Sequence, residues 1–214
     1  RTIRHLATLS ALLMTATAAN AATVDLKATA LACNAASADF SELQAELTEL
    51  GWQPVAAADL SDDDLILLTF AGFPNRVAPT ETNATAWQSS WQMGMGASEG
   101  LRRLAPTEGP ELYRAFLRAE NAVMRADLQK PEGAPHYSVG CSITVAGEAA
   151  GALAETPVEQ IETAHYTTAP PELGAATLFM FRPSAVADLT GQPNIKIDPD
   201  LVTTLITFTD IPAE

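Results

Sequence analysis

An α+β fold, with N-terminal helices packed on a C-terminal antiparallel β-sheet and one disulfide, follows from three observations. Helix-period apolar patterns fill the first two-thirds of the chain, and alternating or β-branched runs fill the last third. Cys33 and Cys141 are the only two cysteines.

The chain opens on a segment read as an address and not as part of the fold. Arg1, Arg4 and His5 precede an uncharged apolar run from Leu6 to Ala16, and Ala19-Asn20-Ala21 supplies small residues at −3 and −1 of a cleavage point. The run is shorter than the roughly 20 apolar residues a bilayer span takes. Residues 1–21 are therefore expected to be a secretory signal cleaved near Ala21. Residues 22–214 would then form a single α+β domain, periplasmic or secreted and not membrane-spanning.

Asp39 and Glu42 have capping-box spacing, and Phe40, Leu43, Leu47 and Leu50 follow on one helical face up to Gly51. Trp52 to Val55 suits a short strand. Ser61 and three acids, Asp62, Asp63 and Asp64, suit the start of a helix running to about Ala71. The apolar run from Leu65 to Phe70 would equally serve as a buried strand, so periodicity leaves 64–70 open, with the cap favouring helix. Gly72 to Thr80 reads as a loop. Ala84 to Met95 predicts a helix with Trp87 and Trp91 on one face, which Gly94, Gly96 and Gly100 should weaken.

A longer helix is expected from Pro110 to about Leu128. Its stripe would be Leu112, Tyr113, Phe116, Leu117, Val123, Met124 and Leu128, with Arg114, Arg118 and Arg125 on the opposite side. From Tyr137 the period becomes 2: Tyr137, Val139, Cys141, Ile143 and Val145 alternate with small polar residues, the pattern of a half-buried strand. Thr156-Pro157-Val158-Glu159 predicts a short helix, and Thr177–Arg182 and Leu201–Thr209 predict two further strands.

The charge balance narrows the partners. The whole chain carries −14, and residues 1–21 hold two of its 12 basic side chains and none of its 26 acidic ones. The remainder stands at −16, a field that repels nucleic acid and anionic lipid. Two cysteines with no C-x-x-C spacing, in an exported chain, read as a structural disulfide and not as a redox or metal pair.

Motifs that could carry chemistry are few. Gly96-Ala97-Ser98-Glu99-Gly100 matches G-x-S-x-G, the elbow that presents a nucleophilic serine. Asp127 with His136, or Glu162 with His165, would supply the acid and base in the required order. The elbow should follow a β-strand, and Trp87 to Gln92 does not resemble one. Gly94, Gly96 and Gly100 loosely echo a dinucleotide loop without the preceding strand, so no cofactor is expected. His136 and His165 lack metal-ligand spacing, and neither Asp62–Asp64 nor the Asp188 and Asp198/Asp200 region has the glycine punctuation of a calcium loop. No metal is expected either. Glu120 lies inside the apolar stripe of the 110–128 helix, where a buried carboxylate would need a partner or take up a proton. Trp87, Trp91, Met93 and Met95 form an aromatic and thioether cluster suited to gripping a partner, in which case both tryptophans should be partly exposed.

These features predict an exported, non-catalytic binding domain whose partner is an envelope protein or a small ligand held by the Trp87–Met95 region. The alternative is a small secreted serine hydrolase using Ser98.

Overall fold

The computed structural model describes residues 24–37, 39–104, 108–109, 112–130, 132–153 and 156–212. The segment expected to be a signal lies outside them. Six helices and eight strands follow the order α1 (Leu26–Asn34), α2 (Phe40–Glu49), β1 (Gln53–Val55), α3 (Asp62–Gly72), α4 (Ala84–Leu101), β2 (Glu108–Gly109), β3 (Leu112–Ala119), β4 (Ala122–Gln129), β5 (His136–Ala146), α5 (Glu148–Gly151), β6 (Ala164–Thr168), β7 (Ala176–Phe181), α6 (Pro183–Thr190) and β8 (Val202–Pro212). The strands form one sheet in the order β1-β3-β4-β5-β8-β7-β6, every pair antiparallel, with β2 also on β3. The architecture is α+β, with the sheet between two helical layers.

Each face of the sheet has its own core. Alternation along β4 sends Met124, Ala126 and Leu128 to one face, where Val139, Cys141, Ile143 and Leu205 join Leu26, Ala30, Leu43 and Leu47 from α1 and α2 and Trp52 just before β1. The opposite face carries Phe116, Val123, Phe181 and Val202, packed on Leu65, Phe70, Trp87, Trp91 and Val186 from α3, α4 and α6. The Cys33–Cys141 disulfide ties α1 to the central strand β5.

The ambiguous segment is helical. Ser61 Oγ accepts from the Asp64 N–H at 3.1 Å, while Asp64 Oδ2 accepts from the Ser61 N–H at 2.7 Å, so the cap is closed in both directions. Leu65, Leu67, Leu68 and Phe70 are all buried because α3 lies between sheet and α4, which explains why no single apolar stripe was visible.

The 110–128 helix is not present. Its residues from Leu112 onward form the β3–β4 hairpin, turning at Glu120 and Asn121, where Asn121 takes a φ of 54°. Ala, Leu, Arg and Met favour helix locally, but pairing of β4 with β5 along eight residues overrides that preference. Glu120 consequently sits exposed in the turn and is not a buried acid.

Smaller departures have local causes. The helix expected after Thr156 is a single 3-10 turn, Val158–Gln160, and His165 lies in strand β6. Helix α4 runs through Gly94 and Gly96 to Leu101. At Gly94 a Cβ would fall 2.8 Å from Thr69 Cγ2, so the glycine that weakens the helix lets α3 and α4 approach closely.

Candidate functional site

A cleft of about 410 Å³ opens between the second face of the sheet and the C-terminal ends of α3 and α4. Its floor follows the pleat. Arg114, Asp127, Gly140 and Phe208 are register partners across β3, β4, β5 and β8, and the next rung towards the core is Phe116, Arg125, Ser142 and Ile206. The helices cover the inner rungs and leave the Arg114–Phe208 rung open. Leu68, Ala71, Gly72, Ala97, Ser98 and Leu101 form the roof, and Arg76 stands just beyond α3.

The cleft concentrates positive charge within an acidic chain. Three guanidinium groups, those of Arg76, Arg114 and Arg125, line it against one carboxylate, Asp127. Arg114 Nε donates to Asp127 Oδ1, and Arg125 Nε lies 2.8 Å from Asp127 Oδ2. That second contact misses hydrogen-bond geometry, so the buried Arg125 Nε has no acceptor among the described residues. Arg76 forms no ion pair among the described residues. At the cleft's outer edge Ser138 Oγ donates to Asp210 Oδ1 at 2.8 Å, and His136 Nε2 lies 3.6 Å from the same oxygen.

The apolar wall is incomplete at one point. Phe208 is 58 % exposed, although its neighbours Leu205 and Thr207 are buried. Gly140, its register partner, adds no side chain to the floor, and a Cβ there would lie 3.8 Å from the Phe208 ring. The rung therefore presents a guanidinium–carboxylate pair at one end and an open aromatic face at the other.

The residues singled out from sequence scatter. Trp87 and Trp91 are 0 % and 3 % exposed, packed edge-on or tilted against Phe70 and Phe73 at ring-centroid distances of 5.3 to 5.8 Å. They are core residues, contrary to the expectation of a gripping surface, because their shared helical face packs against α3 and its following turn. Met93 is exposed, and Met95 is half-buried with its Sδ 3.1 Å from Thr69 Oγ1. The four do not form one surface.

Ser98 lies within α4, not on a strand-to-helix turn, and its buried Oγ is 3.2 Å from Thr69 Oγ1. Neither histidine hydrogen-bonds to it. His136 faces Asp210, His165 is on β6 at the far edge of the sheet, Asp127 is held by arginines, and Glu162 is exposed. In the Ser138–Asp210–His136 group the carboxylate lies between serine and histidine. A nucleophile triad needs the histidine there, to take the serine proton. Gly94, Gly96 and Gly100 lie inside helix α4 and not in a loop that leads from a strand into a helix. Among the described residues no three His, Cys, Asp or Glu side chains gather to hold a metal.

Two acids from the Asp62–Asp64 run are engaged in ion pairs. Arg102 pairs with Asp62 at 2.8 Å, and Arg118 forks onto the buried Asp64. Burial pushes the Asp64 carboxyl up. The hydrogen bonds from Arg118 and Ser61 outweigh it and hold the pKa below its ordinary value. The arginine cleft itself was legible only through hairpin register, which places Arg114, Arg125 and Asp127 on one face. No family model matches the chain, and no curated protein or solved structure matches it, so the geometry of the cleft is the ground for a functional reading.

Proposed function

We propose that the chain is an exported, non-catalytic binding domain whose ligand occupies the cleft between the sheet and the ends of α3 and α4. The observation that carries this reading is the cleft itself: about 410 Å³, apolar on its helical side, with convergent charged groups on its floor. Small-molecule sites have this size and this division of lining. Its charged groups are arginines and one paired acid, and among the described residues no serine or cysteine is hydrogen-bonded to a histidine base, which favours holding a ligand over transforming one. Export is supported by the basic start, apolar run and small-residue site within residues 1–21, and by a disulfide that suits an oxidising compartment.

Thermal unfolding of residues 22–214 against a panel of small acids, amides and amidines tests the binding role, since a ligand of the native state raises the melting temperature. Compounds that stabilise the wild type should lose their effect in Gly140→Val, which fills the floor. A panel without any stabilising compound, or shifts that survive in Gly140→Val, would remove the cleft from consideration. For export, expression of residues 1–214 behind an initiating Met should give a periplasmic product beginning at Ala22. Retention of the uncleaved chain in the cytoplasm would refute it.

A further inference from the structure

Resting on the cleft reading above, we propose that the ligand is a small amphipathic oxyanion, a carboxylate or phosphate on an apolar body, anchored by Arg76. Gly72 acts as the residue that positions Arg76. The argument starts from where the Arg76 head sits. A Cβ built on Gly72 would lie 2.4 Å from Arg76 Nη1, and one built on Gly94 would lie 3.2 Å from it. Real Cβ contacts are essentially never below 3.0 Å. The guanidinium is thus seated against backbone at two glycines, one at the end of α3 and one within α4.

The seat coincides with a local cost to the helix. Gly72 takes a φ of −87° and a ψ of −13°, a helical conformation open to alanine, which would favour the helix by up to about 1 kcal/mol. The three nearest atoms an added Cβ at Gly72 would meet all belong to the Arg76 guanidinium, so alanine there would displace this head from its seat while glycine leaves it room.

The charge of the cleft then selects the ligand. Arg114 and Arg125 share a single carboxylate, and Arg76 pairs with no acid among the described residues. A planar guanidinium with free N–H groups matches carboxylate and phosphate oxygens bidentately. In a chain of net charge −14, a cleft with three arginines and one acid is a local reversal of sign that draws anions to this point. The exposed Phe208 ring, with Ile206 and Leu68, gives an apolar body somewhere to lie once the oxyanion is on Arg76.

The test titrates the folded chain with benzoate, phenyl phosphate, inorganic phosphate and the neutral analogue benzamide, read by amide and arginine Nε NMR shifts. Benzoate or phenyl phosphate should give saturable shifts at Gly72, Gly140 and the Arg76 Nε, and whichever binds more tightly identifies the headgroup. Benzamide, lacking the charge, should bind at least tenfold more weakly, and inorganic phosphate should also bind more weakly because it leaves Phe208 uncovered. Arg76→Gln and Gly72→Ala should each weaken the anion at least tenfold, while Gly72→Ala melts no lower than wild type.

Benzamide binding as tightly as benzoate would overturn the oxyanion assignment and leave the cleft as a binding site. No cleft shift with any of the four probes, alongside stabilising hits from the thermal panel that Gly140→Val abolishes, would have the same effect. If Arg76→Gln lowers the melting temperature but leaves benzoate affinity unchanged, Arg76 caps the end of α3 and is not an anchor.

Discussion

Arg114 and Asp127 face each other directly across the β3–β4 hairpin, and the Arg114 Nε–H donates to Asp127 Oδ1. Arg125, two residues before Asp127 on the same face of β4, puts a second guanidinium against the other carboxylate oxygen. One acid therefore holds two cations at the floor of the cleft. Asp127→Asn keeps the shape and removes the charge. It is expected to destabilise the fold by about 1–2 kcal/mol, a modest loss because all three side chains keep some contact with solvent. The same change raises the positive charge of the cleft by one and should tighten benzoate. Urea unfolding and a benzoate titration check the two effects, and a variant unchanged in both would show that Asp127 does not hold the floor.

The hairpin also shows where local reading stops. The segments around α2 and β5 were legible because each carries its own instruction, a cap beside a periodic stripe or a strict alternation, whereas α3 offered only its cap. The stretch from Leu112 to Leu128 carries two instructions, since its apolar residues fit a helical stripe and, with equal economy, a pair of alternating strands. No glycine or proline marks Glu120-Asn121 as a turn. Non-local pairing with β5 decides, and with the strand reading come the register and the shared face of Arg114, Arg125 and Asp127. Arg76 was less legible still. Its role depends on Gly72 and Gly94, and the second of these meets it only because α4 crosses α3.

Ser98 should not react as a nucleophile. Its hydroxyl is buried in α4 and faces Thr69, and neither histidine hydrogen-bonds to it. A fluorophosphonate probe is expected to leave the folded chain unlabelled, with wild type and Ser98→Ala indistinguishable. Labelling that disappears in Ser98→Ala would restore the hydrolase alternative and require the helix around it to rearrange.

The pairing of Asp64 with Arg118 makes part of the stability depend on pH. Burial raises the Asp64 pKa and the hydrogen bonds from Arg118 and Ser61 lower it further than burial raises it, for a net depression below the ordinary carboxyl value of 3.8. A carboxylate whose pKa is depressed on folding binds fewer protons in the native than in the unfolded state. Its contribution is thus fully present above the unfolded pKa and is lost as pH falls through the lower folded value. Asp64→Asn should lose stability at pH 7 and show a shallower decline than wild type between about pH 5 and pH 2. Parallel curves for the two proteins, measured by urea unfolding at each pH, would assign the acid sensitivity to other carboxylates.

The disulfide joins the helical layer to the strand that forms the middle of the cleft floor. Cys141 lies between Gly140 and Ser142, whose faces line the cleft, while its own sulfur points the other way, to Cys33 in α1. The bridge spans 108 residues of sequence, so it restricts just over half of the unfolded chain and should contribute about 4–5 kcal/mol on the entropic model. Both cysteines are buried, so a reductant reaches the bond only through opening of the fold. The Cys33→Ala/Cys141→Ala variant is expected to unfold at much lower urea than wild type, and dithiothreitol should leave the native protein oxidised until denaturant is added. If the variant lost less than about 1 kcal/mol, the unfolded chain would have to be compact enough already that closing this loop removes little of its freedom. Rapid reduction of the native protein would show instead that α1 separates from β5 without global unfolding. In that case the cleft floor would loosen whenever the bond was broken, and benzoate affinity would fall with it.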